Sequence, residues 1–276
     1  MKEKIKKRIE QAIDEKIFSA CVVGVVRTNR GKFVVPSGKF TSDASAQAVQ
    51  ENTIFDVASI TKSIPTSSLA LKLIDEGRLG VEDKLINFVP EFRNSDRENV
   101  LIKHLLTQTL DYDFRLSAHK DKSAGEILDV IFTTEFKSKP GTKFFYTNAT
   151  SILLGLVVER IFNESLDKLG DKYFFKPLKM TRTTFDPLKK FRKEEIVPTE
   201  NQEWRGGVIQ GEVHDESAYV LNRKTVVGSA GVFSTVPDLL NFLEIPLSTS
   251  LVANCTALLS SPFWAQSLRY FGSLLV

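Results

Sequence analysis

A serine and a lysine three residues apart, Ser59 and Lys62, lie where an apolar, strand-like run gives way to a helix-like run. On one face of a helix, side chains at this spacing are within hydrogen-bonding reach of each other. A serine hydroxyl is a poor nucleophile until a base takes its proton, and a lysine can serve as that base when burial lowers its pKa. The pair is therefore a candidate nucleophile and base, with backbone N–H groups at the helix N-terminus favouring a developing oxyanion.

The same spacing recurs at 117–120 (SAHK) and 165–168 (SLDK), both in polar surroundings. Spacing by itself therefore leaves a chance occurrence open. The apolar strand-to-helix junction favours the copy at Ser59 and Lys62. Pro65 lacks the N–H that would bond back to Thr61, so we expect the helix to begin near Ser63 or to be kinked.

A second candidate group is the tripeptide Tyr146 to Asn148. In an extended segment, residues two apart point to the same side, so a phenol and an amide would face one cavity. A tyrosine near a lysine can act as general acid or base, and an asparagine amide can bind a substrate carbonyl or steady the lysine. The alternative is an aromatic edge strand, FFYTN, whose tyrosine is merely half-buried, and the segment taken alone favours this alternative.

The three histidines are weaker candidates for a catalytic or metal-binding role. His214 and Asp215 are adjacent, and adjacent residues do not readily form the linear base–orienter geometry of a triad with Ser59, so a structural or rim role is favoured. His104 and His119 are isolated, and three histidines in the whole chain do not favour a zinc site. We therefore expect no metal and no cofactor.

The elements that must position these residues follow from the spacing of apolar residues. We predict an amphipathic helix, a hairpin of two strands joined at TNRG, and a series of further helices separated by polar loops. The predicted helices cover 2–17, Thr61 to Gly77, 100–110, 124–136, 149–162 and a segment after Pro237, and the predicted strands lie within 20–29 and 31–40.

The composition is that of a globular protein: 276 residues, 42% of them hydrophobic, with both charge signs interspersed. The formal net charge of +3 is accounted for by the first ten residues, which does not argue for nucleic acid. We find no signal peptide or membrane-spanning segment, so we expect a cytoplasmic protein without a membrane partner. Cys21 and Cys255 make no disulfide framework, and we expect Cys21 to be buried and inert.

Taken together, these segments resemble the serine β-lactamase and penicillin-binding-protein superfamily, in particular its class C-like branch of β-lactamases, esterases and D-amino-acid peptidases. The stretch at 102–114 resembles the LLTHTSGL segment of that family, with Gln108 replacing histidine. The stretch at 228–242 resembles its GHAGLFST segment, with Ser229 replacing histidine. The order of the segments holds from about residue 5 to about residue 245, including 55–92 around the nucleophile, 139–162 with Tyr-x-Asn, and 174–185.

The resemblance implies roles for four residues. Ser59 is the acylated nucleophile, and Lys62 takes or relays its proton. Tyr146 helps to activate the serine and to protonate the leaving group, and Asn148 contacts the substrate. The oxyanion hole uses the backbone N–H of Ser59 and one N–H from a sheet strand. The implied reaction is a two-step acyl transfer to water from a small-molecule acyl substrate: an ester, an amide, a D-amino-acid peptide or a β-lactam.

The implied fold is α+β, a single domain over 1–276 with an antiparallel sheet flanked by helices and a helical subdomain. We expect an N-terminal helix and two strands in 1–55, the helical part with the nucleophile in 56–245, and an atypical tail in 246–276. The family's third motif, Lys or His followed by Thr or Ser and Gly, does not occur after residue 231, and KTV at 224–226 lacks the glycine.

We therefore expect the three C-terminal strands of the sheet to be missing, and with them one oxyanion donor. Two alternatives follow from this departure. One is a catalytically impaired member of the family that acts as a binding or assembly module. The other is self-association through the open sheet edge, in which a partner copy adds a strand.

Overall fold

The computed structural model describes residues 1–27, 31–93, 97–112, 118, 121–221 and 226–244. Most of the predicted TNRG turn, of the SAHK copy and of KTV lies outside these residues, as do His119, Cys255 and the tail 246–276. The helices are α1 Lys2–Asp14, α2 Ser68–Asp75, α3 Ile102–Leu106, α4 Ala124–Thr133, α5 Asn148–Phe162, α6 Leu166–Gly170, α7 Glu216–Leu221 and α8 Val236–Leu243. The strands are β1 Ala20–Arg27, β2 Gly31–Gly38, β3 Phe55–Asp56, β4 Asn201–Gln202, β5 Gly207–Val208 and β6 Phe233–Ser234.

The described chain divides into two compact units. The first comprises Met1–Ala58, Asp171–His214 and 231–244, and the second comprises Ser59–Gly170 and Asp215–Ala230. No helix within the described ranges has the length and apolar character needed to cross a membrane.

The first unit is built on the predicted hairpin of β1 and β2, which pair antiparallel from Ala20 opposite Gly38 to Arg27 opposite Gly31. Helices α1 and α8 pack against this hairpin. The contact with α8 is close at Gly24, where an added Cβ would lie 2.4 Å from Val236 Cγ1. As predicted, α8 has a proline in its first turn. In the part of the chain that the structure describes, the strands form three two-stranded sheets: β1–β2, β3–β6 and β4–β5.

The second unit is organised around α5, which confirms the predicted buried helix. Nine of its residues between Ala149 and Val158 are buried, because this helix is apolar on almost every side. Helices α2, α3 and α6 pack against it. This unit carries all four residues for which the resemblance implies a role.

Three predicted helices in this unit are shorter than expected. The helix predicted over 124–136 ends as α4 at Thr133. The helix predicted from Thr61 begins as α2 at Ser68, because Ile64 has extended backbone angles (φ −122°, ψ 103°) just before Pro65. This interruption is the kink that the proline predicted. The helix predicted over 100–110 ends near Leu106, and Gln108 adopts a positive φ of 55°. The predicted stop of α2 at Gly77 is confirmed, with φ 67° at the glycine.

Candidate active site

The candidate nucleophile lies on a short 3-10 turn, Ala58–Lys62. A 3-10 helix has three residues per turn, so the side chains at positions i and i+3 lie one above the other. Lys62 Nζ is accordingly 3.0 Å from Ser59 Oγ. The residue before Ser59, Ala58, has a positive φ of 44°, and its backbone N–H donates to Asp56 Oδ1 at 2.7 Å. The predicted proximity of serine and lysine is therefore present in the structure.

The side chain of Lys62 is buried and makes three hydrogen bonds to other described residues. Besides Ser59 Oγ, its Nζ contacts Asn148 Oδ1 at 2.8 Å and the backbone carbonyl of Ser229 at 2.9 Å. Burial lowers the pKa of Lys62 to about 8, and the negative charge of Asp215 works in the opposite direction. With this pKa, both the ammonium and the neutral amine form of Lys62 are populated near neutral pH, so the side chain can accept and return a proton.

Tyr146 is the third member of this group. Lys62 Nζ lies 5.1 Å from the centroid of its ring, within cation–π range. Partial burial raises the pKa of the Tyr146 hydroxyl, and a hydrogen bond with the Ser59 side chain works against this rise. The phenol therefore stays protonated near neutral pH and can donate a proton.

Asn148 is the first residue of α5, after Thr147, whose side chain caps the helix. Thr147 is extended (φ −147°, ψ 152°), so Tyr146 and Asn148 reach the same lysine as predicted. The alternative interpretation, an aromatic edge strand over FFYTN, is wrong, because these residues form a loop and then a helix.

The amide of Asn148 donates hydrogen bonds to two residues that were not among the predicted site residues. Its Nδ2 donates to Asp215 Oδ2 at 2.8 Å and, more weakly, to Ser217 Oγ at 3.4 Å. Asp215 was considered only as the partner of His214. The imidazole of His214 instead lies beside Glu200, with Nε2 3.6 Å from the carboxylate, and its backbone N–H donates to Asp56.

Ser229 was noted only because it replaces the histidine of the family pattern. Its backbone carbonyl binds Lys62, while its own hydroxyl is buried without a hydrogen-bond partner among the described residues. A backbone carbonyl is present at every residue, so no residue type could have signalled this contact.

Gln108, the other departure from the family pattern, anchors the segment that carries Tyr146 and Asn148. Its Oε1 accepts the Thr147 N–H at 3.1 Å and the Thr150 hydroxyl at 2.7 Å, and its backbone carbonyl accepts the Phe145 N–H at 2.8 Å. Because Gln108 is buried, these bonds are shielded from water and hold the start of α5 in place.

The remaining candidates have other partners. Ser165, of the SLDK copy, donates to the Asp167 carboxylate. His104 accepts the Leu101 N–H through Nδ1, at 3.1 Å, near the start of α3.

Cys21 is half-buried rather than buried, which corrects the prediction, and burial raises the pKa of its thiol. Over the ranges that the structure describes, no group of three or more His, Cys, Asp or Glu side chains could hold a metal ion.

Comparison with known proteins identifies the family. The Beta-lactamase family model matches residues 6–272, and the chain belongs to this family. A protein of Escherichia coli (strain K12) described as "Putative D-alanyl-D-alanine carboxypeptidase" is 30% identical over 222 residues, which is 71% of this chain and 51% of that protein. A protein of Salmonella agona (strain SL483) with the same description is 29% identical over 223 residues, with the same coverage. The chain thus spans about half the length of the curated relatives it matches.

Solved structures confirm the predicted fold class. A "Beta-Lactamase/D-Alanine Carboxypeptidase from Pseudomonas syringae" matches with a TM-score of 0.72 and 20% identity, over 90% of this chain and 66% of that one. An "octameric penicillin-binding protein homologue from Pyrococcus abyssi" matches with a TM-score of 0.69 and 23% identity, over 87% of this chain and 55% of that one. At these identities the likeness establishes the fold alone.

Proposed function

We propose that this chain is a serine hydrolase that forms an acyl-enzyme on Ser59. The observation that carries the proposal is the buried Lys62 Nζ at 3.0 Å from Ser59 Oγ, with burial lowering the pKa of the lysine to about 8. At pH 7 a group with that pKa is unprotonated in about a tenth of the molecules, whereas an ordinary lysine is almost entirely protonated. A usable base is therefore present at physiological pH.

The partners of Lys62 also direct its lone pair. Asn148 Oδ1 and the Ser229 carbonyl can only accept hydrogen bonds. A neutral amine has two N–H groups and one lone pair. When the two N–H groups remain on these acceptors, the lone pair faces the third neighbour, Ser59 Oγ. The arrangement therefore favours proton transfer from the serine to the lysine.

The proposed reaction has two steps. Ser59 Oγ attacks the acyl carbon and its proton passes to Lys62. The bond to the leaving amine or alcohol breaks as that group takes a proton from Tyr146, which Lys62 reprotonates. Water then attacks the acyl-enzyme ester, its proton passes through the same groups to Ser59, and the acid is released. The backbone N–H of Ser59 serves as one oxyanion donor, and this chemistry needs no cofactor.

The comparisons support a substrate class. The curated relatives carry the description "Putative D-alanyl-D-alanine carboxypeptidase", and the structural neighbours include class C β-lactamases and a D-amino acid amidase. We therefore propose a D-alanyl peptide or a β-lactam as the acyl donor, with a simple ester or amide as the wider class.

Intact-mass spectrometry after incubation with a fluorescent penicillin, and separately with a fluorophosphonate, tests the proposal. The wild type and Ser59→Ala are compared with Ser165→Ala, which removes the serine of another Ser-x-x-Lys segment. We expect one adduct on the wild type and on Ser165→Ala, and none on Ser59→Ala. Equal labelling of all three proteins would refute the assignment. No adduct on a wild type that circular dichroism shows to be folded would favour a binding or assembly module instead.

Self-association through a sheet edge remains a second proposal. It is supported by the β1–β2 hairpin, which forms a sheet of only two strands among the described residues. Size-exclusion chromatography at several protein concentrations tests it. We expect a larger species as the concentration rises, and a strictly monomeric folded protein would exclude it.

A further inference from the structure

The Asn148 amide lies between a cation and an anion. Its Oδ1 is 2.8 Å from Lys62 Nζ, and its Nδ2 is 2.8 Å from Asp215 Oδ2. An asparagine amide has one end that accepts hydrogen bonds and one end that donates them. An ammonium group only donates and a carboxylate only accepts, so only one of the two amide orientations satisfies both neighbours.

We propose that Asp215 is a positioning residue: it fixes the orientation of the Asn148 amide and, through it, the direction of the Lys62 amine. Its catalytic consequence rests on the proposed function, because the amine matters only if it serves Ser59. Without the carboxylate, the amide could rotate and present its NH₂ group to Lys62. A donor would then meet a donor, and the amine would lose one of the two acceptors that direct its lone pair toward the serine.

Asp215 is itself held in place. Its Oδ1 accepts the Ser217 hydroxyl at 2.6 Å and the Ala218 N–H at 2.8 Å, in the first turn of α7. One oxygen therefore caps a helix while the other faces Asn148. A side chain fixed by several bonds positions its neighbour more precisely than a mobile one would.

The charge of Asp215 acts on the same lysine. Burial lowers the pKa of Lys62 and Asp215 raises it. Among the described residues, the titratable side chain of Tyr146 also lies beside Lys62. The segment 226–230, which supplies the Ser229 carbonyl, contains no titratable side chain. Loss of the Asp215 charge and rotation of the Asn148 amide both disfavour the ammonium form, so both lower the pKa of Lys62.

Asp215→Asn is the sharpest variant, because it keeps the size of the side chain. Either orientation of the new amide brings two hydrogen-bond donors together. If its Oδ1 caps α7, its NH₂ group faces the NH₂ group of Asn148. If the amide is reversed, its NH₂ group faces the Ala218 N–H. Glu216→Gln is the matched control, since it removes one negative charge from the next residue. Two quantities are measured in each protein: the pKa of Lys62, from the NMR shift of its carbon-13-labelled Cε, and the rate of Ser59 acylation against pH.

In Asp215→Asn we expect the pKa of Lys62 to fall by about one pH unit. The acid limb of the curve of acylation rate against pH should move to lower pH by the same amount. The acylation rate on the plateau of that curve should fall about tenfold or more. Glu216→Gln should match the wild type in the Lys62 pKa and in the pH dependence of Ser59 acylation. A purely structural role would lower the plateau without moving the midpoint.

Asp215→Ser provides a second variant if the first does not fold, because its hydroxyl can still cap α7 but is too short to reach Asn148. It should lower the pKa of Lys62 in the same way. An unchanged Lys62 pKa in the folded variants, or an equal change in Glu216→Gln, overturns the inference. If the wild type is not acylated at all but the Lys62 pKa still falls in Asp215→Asn, the proposed function fails, while the influence of Asp215 on the protonation of Lys62 stands.

Discussion

The buried charge of Lys62 should make the stability of the protein depend on pH in a defined direction. The pKa of this lysine is about 8 in the folded chain against an ordinary value of 10.5, so between these values the unfolded chain binds more protons than the folded one. The free energy of unfolding therefore rises with pH across this window. About 2.5 pH units at about 1.36 kcal/mol per unit give a gain of about 3 kcal/mol.

Lys62→Met isolates this contribution, because it removes the titrating group and keeps an unbranched side chain only one atom shorter. Urea unfolding of both proteins at intervals from pH 7 to pH 10.5 gives two curves of unfolding free energy, and their difference removes the titrations that the two proteins share. We expect the wild type to gain about 3 kcal/mol relative to Lys62→Met over this range, most of it above pH 8. A difference that stays constant with pH, or falls, would refute the assignment of a depressed pKa to Lys62.

Three further predictions concern groups around the site and the hairpin. Gln108→Leu removes the buried acceptor of the Thr147 N–H and the buried donor to the Ser151 hydroxyl, while the Thr150 hydroxyl keeps only its bond to the Thr147 carbonyl. Unfolding should therefore become easier by about 2–4 kcal/mol, and Ser59 labelling should slow about tenfold. A loss below about 1 kcal/mol in urea unfolding would contradict this role. Ser229→Ala removes a buried hydroxyl that has no hydrogen-bond partner among the described residues. The variant should therefore be as stable as the wild type or about 1 kcal/mol more stable. A clear decrease of the thermal unfolding temperature would contradict the burial of an unpaired hydroxyl. Gly24→Ala should destabilise the protein by about 1–3 kcal/mol, because the added Cβ would meet Val236. Gly125→Ala, on α4, should stabilise it by about 0.5–1 kcal/mol, because the nearest atom to the added Cβ is the Ser123 hydroxyl at 4.0 Å. The same sign for both variants in urea unfolding would contradict the close approach of α8 to β1.

The local parts of the site could be predicted from the sequence. Ser59 and Lys62 are three residues apart, and any tight helical turn brings them together. Tyr146 and Asn148 were expected to face one cavity because extended residues alternate. Both side chains do contact Lys62, although the segment is a loop leading into α5 rather than a strand. Over such short distances along the chain, the backbone geometry alone determines which side chains meet.

The helix boundaries were harder to predict, because tertiary contacts override the apolar spacing. The start of α2 lies beyond the kink at Ile64, and Pro65 was the signal for it. The early end of α3 had a weaker signal. Gln108 has a positive φ, and its side chain bonds to Thr147 and Thr150, which lie about 40 positions further along the chain.

The remaining contacts could not have been predicted from one sequence, because they join residues far apart in the chain. Lys62 and Ser229 are separated by 167 positions, and Asn148 and Asp215 by 67. The residue types were nevertheless informative in one respect. An amide beside a lysine has a donor end that needs an acceptor, and a carboxylate is the acceptor that leaves no choice of orientation. With its Oδ1 on Lys62, the Asn148 amide turns its Nδ2 toward an acceptor, and Asp215 is that acceptor in the structure.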